Sequence, residues 1–406
     1  PANPSRHARP RVDATVDGRI ASFSSRPERT LACMTSLRFL AALVLACGWG
    51  SFQPPIAGEP GVPLSRPFHL GFTRWPADLT TEGIQQAQDF AHAHGDIASV
   101  MFIGGIAWPE ALDGRPFSRD VEANLAYRPP SGKKLFLSIS PLDRDRKNLA
   151  PYWGEKDNQP LPEPWGSRAL NSPEVRRAFL NFVMRSVEAM KPDYLAIGIE
   201  SNVLLSHSRS KWNQLKELHC ATYAAIKSRY PALPVCFTTD VLHYKKLASE
   251  ARTSDQEREV ADLMRHSDLF AISVYPHMSY DVPRPIPADF LDFATRLGKP
   301  VAMAEAGMTS RDVELKAFGL TLRGSEAAQR QFTELLLRVA TRDRYEFVIN
   351  FATTDFERLC AKLPPPVDDL ARIWAHTGLQ TSESKPKPAL AVWDAYLKVP
   401  YHASGF

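Results

Sequence analysis

Two glutamates stand at the ends of apolar runs that are typical of buried strands. Glu200 closes the run 194–200 (YLAIGIE), and Glu305 lies in the run 301–307 (VAMAEAG). A carboxylate at the end of a buried strand carries a desolvation cost unless it is paired or used in chemistry. Two such carboxylates that face each other can serve as general acid and nucleophile. The alternative is that each glutamate is neutralised by a nearby arginine such as Arg74.

Whether the two glutamates meet depends on the elements that carry them. Eight apolar runs predict strands that begin near His69, Ala98, Leu135, Tyr194, Pro234, Leu269, Val301 and Phe347. Most of these runs are continuously apolar, which is typical of parallel strands covered on both faces. Helical patterns between them cover Thr81–His94, Ser172–Met190, Trp212–Tyr230, Gln256–His266, Ala288–Leu297 and Glu326–Thr341.

Eight strand–helix units in about 340 residues predict an α/β protein with a single (β/α)₈ TIM barrel. The alternative is a doubly wound open sheet, which usually carries a glycine-rich phosphate loop. Neither G-x-G-x-x-G nor G-x-x-x-x-G-K occurs in the chain. The barrel is therefore the favoured fold.

In a barrel, polar residues at the carboxyl ends of strands are the candidates for chemistry, because the strand interiors are packed. The residues at these ends are Arg74, Trp108, Asp143, Glu200, Asp240, Tyr275, Glu305 and Asn350. On strands four and seven, Glu200 and Glu305 can face each other across the barrel mouth. A long loop insertion after strand three, 141–171, holds Trp153 and Trp165, which either meet a ligand or anchor the loop.

Three segments resemble a known enzyme clan. The run 268–276 (DLFAISVYP) is similar to the strand-six signature of the retaining glycoside hydrolases of the (β/α)₈ clan, and 298–307 (GKPVAMAEAG) is similar to their strand-seven signature. The tail, with Thr377-Gly-Leu and then 385–393 (KPKPALAVW), is similar to the ending of endo-β-1,4-galactanases. The resemblance covers about residues 66–400.

The resemblance implies cleavage of a β-linked glycan by double displacement. Glu305 would be the nucleophile, kept ionised by Arg74 or Tyr275, and Glu200 would be the acid/base. Glu200 must hold a proton, so we expect it to be more buried than Glu305 or to have its pKa raised by the charge of Glu305. Two positions differ from the usual pattern of the clan: Ile199 stands where asparagine usually precedes the acid/base, and strand eight ends without tryptophan.

A set of further residues is predicted to bind substrate. Aromatic faces suit the apolar faces of sugar rings, and polar side chains near strand ends suit their hydroxyls. The predicted aromatic platforms are Trp75, Trp108, Trp153 and Trp165, and the predicted polar contacts are Arg74, Asp143, Asn202, Asp240, Tyr275, His277 and Asn350. No cofactor and no metal is implied.

Other functional classes have weaker support. A metal-dependent barrel hydrolase would need His-x-His after strand one, and the pair His92 and His94 lies inside a helical pattern. His207, His243 and His277 are isolated. The rival from another class is a barrel that binds carbohydrate at the cell surface without turnover. A second rival is a barrel esterase or deacetylase.

Charge excludes two kinds of partner. The formal charge is +4, and residues 1–51 hold seven of the 49 basic and three of the 45 acidic residues, which leaves 42 of each in the remainder. A neutral folded part gives no reason to expect nucleic acid or an anionic membrane as partner. We expect a monomer whose partner is an oligo- or polysaccharide.

The first part of the sequence resembles an export signal. After a leader at 1–33, a signal peptide is predicted at 34–51, with Arg38 followed by the apolar run 39–46. Cleavage would yield a secreted or periplasmic bacterial protein. Because Val44-Leu-Ala-Cys47 is similar to a lipoprotein box, lipidation of Cys47 with anchoring at the cell surface is the alternative. A linker at 52–65, a catalytic domain at 66–400 and a tail at 401–406 complete the predicted organisation.

Overall fold

Eight strands form one continuous parallel sheet in the computed structural model, which describes residues 63–363 and 367–402. Every strand begins within one residue of its predicted start. The strands are β1 (His69–Thr73), β2 (Ile97–Phe102), β3 (Lys134–Ile139), β4 (Tyr194–Ala196), β5 (the two segments Val235–Cys236 and Thr238–Asp240), β6 (Phe270–Val274), β7 (Val301–Ala306) and β8 (Phe347–Asn350). Almost every strand residue is buried, because helices cover the outer face of the sheet.

The sheet closes into a barrel. Each strand pairs with the next in parallel, and β1 pairs with β8 as well as with β2. Strand β5 is interrupted at Phe237, so that Val235–Cys236 pairs with β4 and Thr238–Asp240 pairs with β6. The predicted (β/α)₈ barrel is therefore confirmed, and the open-sheet alternative is wrong.

Large and small side chains share the barrel interior. Phe136, Tyr194 and Phe347 fill its centre, with ring centroids 4.6 Å apart for Phe136 and Phe347 and 5.0 Å apart for Tyr194 and Phe347. The inward positions of β7 are the small residues Ala302 and Ala304, which leave room for these rings. The interior is thus a packed core, and chemistry is restricted to the strand ends.

Helices alternate with the strands around the barrel. They are α1 (Thr81–Ala93), α2 (Trp108–Asp113), α3 (Arg119–Leu125), α4 (Pro173–Met190), α5 (Val203–His207), α6 (Arg209–Arg229), α7 (Val241–Tyr244), α8 (Gln256–Leu263), α9 (Glu326–Arg342), α10 (Glu357–Cys360), α11 (Val367–Arg372) and α12 (Pro388–Lys398). Predicted starts are confirmed at residue 81 for α1, 256 for α8 and 326 for α9. Helix α4 starts after an N-cap at Ser172, whose Oγ accepts a hydrogen bond from the amide of Val175.

The predicted helix at Ala288–Leu297 is wrong. Only a 3₁₀ helix forms there, at Asp292–Leu297, and it ends at Gly298 with φ 63°. Prolines at 283, 285 and 287 crowd the preceding loop, and proline cannot donate the amide that an earlier helical turn would need. Between β7 and α9 lies an antiparallel hairpin of two short strands, Val313–Leu315 and Leu320–Leu322.

The long insertion after β3 is present where it was predicted. Isolated bridges tie Tyr152 to Ile106 and to Gln159, so the loop is fastened to the barrel. Across residues 63–363 and 367–402, no helix is both long and apolar enough to cross a membrane. The predicted leader, the signal peptide with Cys47 and most of the predicted linker lie outside the described residues, as do residues 403–406 of the predicted tail.

Candidate active site

A β-bulge turns Glu305 toward the barrel interior. Along β7, Met303 packs against the outer core while Ala302 and Ala304 face inward, so strict alternation would point residue 305 outward. The register between β6 and β7 shifts there: Ile272 pairs with Met303, but Ser273 pairs with Glu305. The extra residue reverses the alternation and places the Glu305 carboxylate inside the mouth.

Glu200 reaches the same mouth through a strained turn. It follows β4 by four residues, and its φ of 46° is in the left-handed region, which non-glycine residues rarely adopt. The turn is held by β5, because the amide of Glu200 donates to Thr238 Oγ1 at 2.7 Å and the amide of Ser201 donates to the Thr238 carbonyl. Backbone strain that the surroundings enforce in this way is typical of functional sites.

Each carboxylate has its own hydrogen-bond donors. Tyr275 Oη donates to Glu305 Oε2 at 2.7 Å, as predicted. Glu200 accepts a hydrogen bond from Ser273 Oγ on Oε1 at 2.8 Å and forms an ion pair through Oε2 with Arg146 Nη2 at 3.0 Å. The two glutamates therefore have separate donors, although Ser273 lies on β6 and Tyr275 directly follows it.

The arginine at the site is Arg146 and not Arg74, so the prediction for Arg74 is wrong. The guanidinium of Arg74 lies 4.0 Å from the centre of the Tyr127 ring, and Arg146 is the arginine whose charge opposes the rise in the pKa of Glu305. Sequence reasoning missed Arg146 because it lies inside the long insertion, away from any strand end. The run of alternating charges at 143–147 (DRDRK) was the one signal that could have drawn attention to it.

Burial raises the pKa of both glutamates, and neighbouring negative charges add to the rise. Desolvation, followed by the negative charge of Glu200, raises the pKa of Glu305 to about 8. Desolvation also raises the pKa of Glu200, although Arg146 opposes the rise. The pair therefore holds a proton near neutral pH, as two neighbouring buried carboxyls do. Of the two alternatives predicted for Glu200, the one that makes it more buried than Glu305 is wrong, because 7% of Glu305 is exposed against 19% of the Glu200 side chain.

A second charged group follows β5. Asp240 Oδ1 lies 2.7 Å from His243 Nδ1, and Glu250 Oε1 lies 3.3 Å from His243 Nε2. Burial alone would lower the pKa of His243, but the hydrogen bonds and charges of the two carboxylates outweigh it and raise that pKa to about 10. Because Asp240 also contributes a negative charge at both Glu200 and Glu305, this group is part of the electrostatics of the mouth.

Asn202 braces this turn, and its predicted contact with substrate is wrong. Its side chain is fully buried, donates through Nδ2 to the Asp240 carbonyl and to Gln256 Oε1, and accepts through Oδ1 from the Asp240 amide. Both the Nδ2 and the Oδ1 of Asn202 therefore form hydrogen bonds within the protein.

Three predicted aromatic platforms are part of the core, so those predictions are wrong. Trp108 is fully buried, stacks on Trp165 with centroids 5.4 Å apart, and donates to the Ala150 carbonyl at 2.9 Å. Trp153 is 4% exposed and donates to Asp120 Oδ2 at 2.6 Å. The alternative that Trp153 and Trp165 anchor the insertion is confirmed, because their indole rings are already covered by protein.

Aromatic residues form a cluster that reaches Glu305 through Tyr275. We define the mouth aromatic cluster as Trp75, Tyr275, Phe351, Phe356 and Trp374. Ring centroids are 6.0 Å apart for Trp75 and Phe351, 6.0 Å apart for Tyr275 and Phe351, and 6.1 Å apart for Tyr275 and Trp374. Trp75, Phe351 and Trp374 are only partly buried. Sequence reasoning named Trp75 and Tyr275 but missed Trp374, which lies far beyond the last strand.

Two other predicted contacts, Asp143 and Asn350, are directed at loops and not at the glutamates. The Asp143 carboxylate accepts from the amides of Lys147 and Asn148 within its own turn. Asn350 Nδ2 donates to the Ala352 carbonyl at 2.9 Å. The predicted role of these two side chains as sugar contacts is not supported, because each is already committed to neighbouring backbone.

His277 is likewise removed from the mouth surface. It is 1% exposed, and its Nε2 lies 3.0 Å from the Ile373 carbonyl. Burial lowers its pKa to about 4, so the ring is neutral under ordinary conditions. A neutral, covered ring that bonds to backbone does not fit the predicted contact with substrate.

The cluster with the best geometry for a metal ion lies in the segment after β8. Asp355, Glu357 and His376 bring three potential ligand atoms within 4.8 Å of one another. The Nζ of Lys387, which is buried, lies 2.6 Å from Asp355 Oδ1 and already supplies a positive charge there. A cation would have to compete with this ammonium group, so the cluster fits an internal ion pair better than a metal site.

Residues 150–335 match the family model of glycosyl hydrolase family 53. The matched segment, just under half of the chain, includes both Glu200 and Glu305. No curated protein matches the sequence.

Solved structures share the fold at low sequence identity. A glycosyl hydrolase family 53 catalytic domain from Ignisphaera aggregans has a TM-score of 0.51 at 15% identity, covering 85% of this chain and 98% of that chain. A GH5_18 variant from Streptomyces cattleya, in complex with Manβ1-4GlcNAc, has a TM-score of 0.55 at 16% identity, covering 82% and 80%.

The exo-β-1,4-mannosidase Op5Man5 from an Opitutaceae bacterium has a TM-score of 0.53 at 15% identity. The match covers 82% of this chain and 60% of the mannosidase chain. The resemblance predicted from the strand-six and strand-seven segments is confirmed by the family match and by the fold. Residues 150–335 of this chain are thus similar to glycosyl hydrolase family 53, and the barrel has the fold of these glycoside hydrolase structures.

Proposed function

We propose that the protein hydrolyses a β-linked glycan with retention of configuration, using Glu305 as nucleophile and Glu200 as acid/base. The observation that carries this proposal is the charge-coupled pair itself: two buried glutamates at the ends of β4 and β7, each with a separate hydrogen-bond donor. Retaining glycosidases need two carboxyl groups in different environments on either side of the scissile bond.

In the first step Glu305 attacks the anomeric carbon, and Glu200 donates its proton to the leaving oxygen. Bond breaking leaves a glycosyl ester on Glu305 and an ionised Glu200. The Tyr275 hydrogen bond supports the ionised form of Glu305 that attack requires. In the second step Glu200 takes a proton from water, which displaces Glu305 and restores both groups.

The site shares one proton between its two carboxyls before substrate binds. Attack requires that this proton reside on Glu200, and the donor from Tyr275 to Glu305 favours that arrangement. Arg146 favours the opposite arrangement, because it stabilises the ionised form of Glu200. The balance between these two contacts sets the fraction of enzyme that is ready to react.

A reducing-sugar screen over plant and microbial polysaccharides, with β-1,4-galactan and β-1,4-mannan included, tests the proposal. We expect release of reducing ends from at least one β-linked glycan by the wild-type protein and none by Glu305→Gln. Equal release by both proteins would contradict the proposal, because the product would then not depend on the nucleophile.

Two observations favour a second candidate, a carbohydrate-binding barrel without turnover. The Glu200–Arg146 ion pair opposes protonation of the acid, and Ile199 stands where the clan usually has asparagine. Binding of a polysaccharide by the wild-type protein, without any reducing ends at prolonged incubation, would favour this candidate.

A further inference from the structure

The Arg146 side chain is built into the candidate site by four hydrogen bonds, two of them with the Glu200 turn. Its Nε donates to the Ile199 carbonyl at 2.9 Å, and its Nη2 contacts Glu200 Oε2 at 3.0 Å. Its Nη1 donates to the carbonyls of Arg144 at 2.6 Å and Asp143 at 3.3 Å. The side chain is 7% exposed, and a planar guanidinium with this many acceptors has little freedom to move.

The same guanidinium therefore holds both the backbone and the side chain of the turn. It bonds the carbonyl just before Glu200 and the carboxylate of Glu200 itself. Ser273 Oγ occupies the other carboxylate oxygen at 2.8 Å. With both oxygens and the φ of 46° fixed, the carboxylate has one direction in the mouth.

We propose that Arg146 is a positioning residue for Glu200 and fixes both the direction and the charge of its carboxylate. This inference rests on the proposed function, in which Glu200 gives and takes the proton. It assigns a catalytic support to a residue of the long insertion, so the insertion contributes to the reaction as well as to the rim of the barrel.

The charge effect follows from the groups that face Glu200. Asp240 after β5 is a negative group that acts on Glu200, and Arg146 and His243 are the positive groups. The charge of Glu200 acts in turn on Glu305 of β7. In the described part of the chain, Arg146 is the basic residue that forms a direct ion pair with Glu200. Removing its charge leaves the carboxylate facing two like charges, so the ionised form of Glu200 becomes harder to reach.

The direct test is a ¹³C NMR titration of the Glu200 carboxyl carbon in protein with labelled glutamate. The protein also carries Glu305→Gln, so that Glu200 titrates without its neighbouring carboxyl. The signal is assigned by its loss on adding Glu200→Gln. We expect Arg146→Gln to raise the pKa of Glu200 by about 1–3 pH units, the usual effect of losing an adjacent opposite charge. Arg146→Lys should raise it less, because the charge remains.

Arg74→Gln is the matched control, since Arg74 is an arginine at another strand end whose guanidinium lies on Tyr127. It should leave the Glu200 titration unchanged. An unchanged Glu200 titration in folded Arg146→Gln would overturn the inference. So would an equal rise in Arg74→Gln, because the effect would then not be specific to the contact.

A kinetic arm separates this inference from the proposed function. With a glycan that the wild-type protein cleaves, the basic limb of kcat/KM should move to higher pH in Arg146→Gln, because the acid loses its proton later. A protein with no turnover would contradict the proposed function and leave the NMR titration decisive for Arg146. If Arg146→Gln does not fold, Arg146→Lys decides: we expect lower kcat with little change in KM, and full activity would overturn the positioning role.

Discussion

Glu305 is a carboxyl group whose folded environment favours its protonated form. Burial and the charge of Glu200 raise its pKa to about 8 from an ordinary value of 4.5. Between these two pH values the folded protein keeps a proton that the unfolded chain has lost, so the contribution of Glu305 to stability falls as pH rises through this window. The carboxyl group that we propose as the nucleophile therefore destabilises the fold at neutral and basic pH.

Glu305→Gln should for this reason stabilise the protein more at about pH 8 than at about pH 5. Thermal unfolding of variant and wild type at both pH values measures the difference. Glu314→Gln, at an exposed position of the hairpin, is the control and should show no such pH dependence. A gain in melting temperature that is the same at both pH values would argue against a raised pKa at Glu305.

If Glu200 is the general acid, the activity of a variant without it should depend strongly on the quality of the leaving group. In Glu200→Ala, aryl glycosides with good leaving groups should lose far less kcat/KM than those with poor ones, because only a poor leaving group needs protonation. A series of substituted phenyl glycosides of the sugar that the wild-type enzyme releases measures this dependence. A uniform loss across the series would speak against Glu200 as the acid.

At the residue scale, the sequence made the pair Glu200 and Glu305 predictable, but not the side chains that surround them. Glu200 and Glu305 stand out because each interrupts an apolar run, and a buried carboxylate demands an explanation. Arg146 lies in an irregular insertion, where no periodicity indicates which side chains turn inward. The bulge that directs Glu305 into the mouth is a register feature, visible only once β6 and β7 are paired.

At the element scale, the long insertion is anchored by aromatic residues. Trp153 packs edge-on against Phe102 of β2, with centroids 5.0 Å apart, and also contacts Phe182 of α4. The sequence predicted the loop and its position because strands and helices flank it with clear patterns. It could not tell which face of each indole is covered, since that depends on contacts with distant helices.

Trp153→Ala should therefore destabilise the fold by about 3–5 kcal/mol, the usual cost of removing a large buried aromatic ring. Affinity for the glycan should change little. Trp374→Ala is the matched change in the mouth aromatic cluster, where the ring is partly exposed and contacts Tyr275. It should weaken glycan binding by about 1–3 kcal/mol with a small change in melting temperature.

Thermal unfolding measures the change in stability, and calorimetric titration of glycan measures the change in affinity, for both variants in the Glu305→Gln background. The opposite pattern, with affinity lost in Trp153→Ala and stability lost in Trp374→Ala, would mean that Trp153 of the insertion, and not Trp374, stacks on the sugar.

At the scale of the whole molecule, the barrel brings together residues that are far apart in the chain. Continuous apolar runs made the eight strands and their closure predictable, because only parallel strands covered on both faces need such runs. The mouth combines side chains from the ends of strands that are far apart in the sequence, and the pairing of the strands into a closed barrel brings these ends together. That is why single residues of the site were harder to predict than the fold.

We also propose that the protein is exported. The proposal rests on Arg38 and the apolar run 39–46, and it predicts a mature protein that begins near residues 47–52. Intact-mass analysis and N-terminal sequencing of material expressed in a Gram-negative host measure the cleavage site. A mature protein that still carries Met34 would contradict export by this signal.

The most direct test of Glu305 as the nucleophile is the product that Glu305→Ala forms in the presence of azide. With a dinitrophenyl glycoside of the sugar that the wild-type enzyme releases, azide should enter from the face that Glu305 occupied. One displacement then replaces two, so ¹H NMR should show a glycosyl azide of inverted anomeric configuration. A glycosyl azide of retained configuration, or no azide product from a glycoside that the wild-type enzyme cleaves, would contradict the assignment of Glu305 as nucleophile.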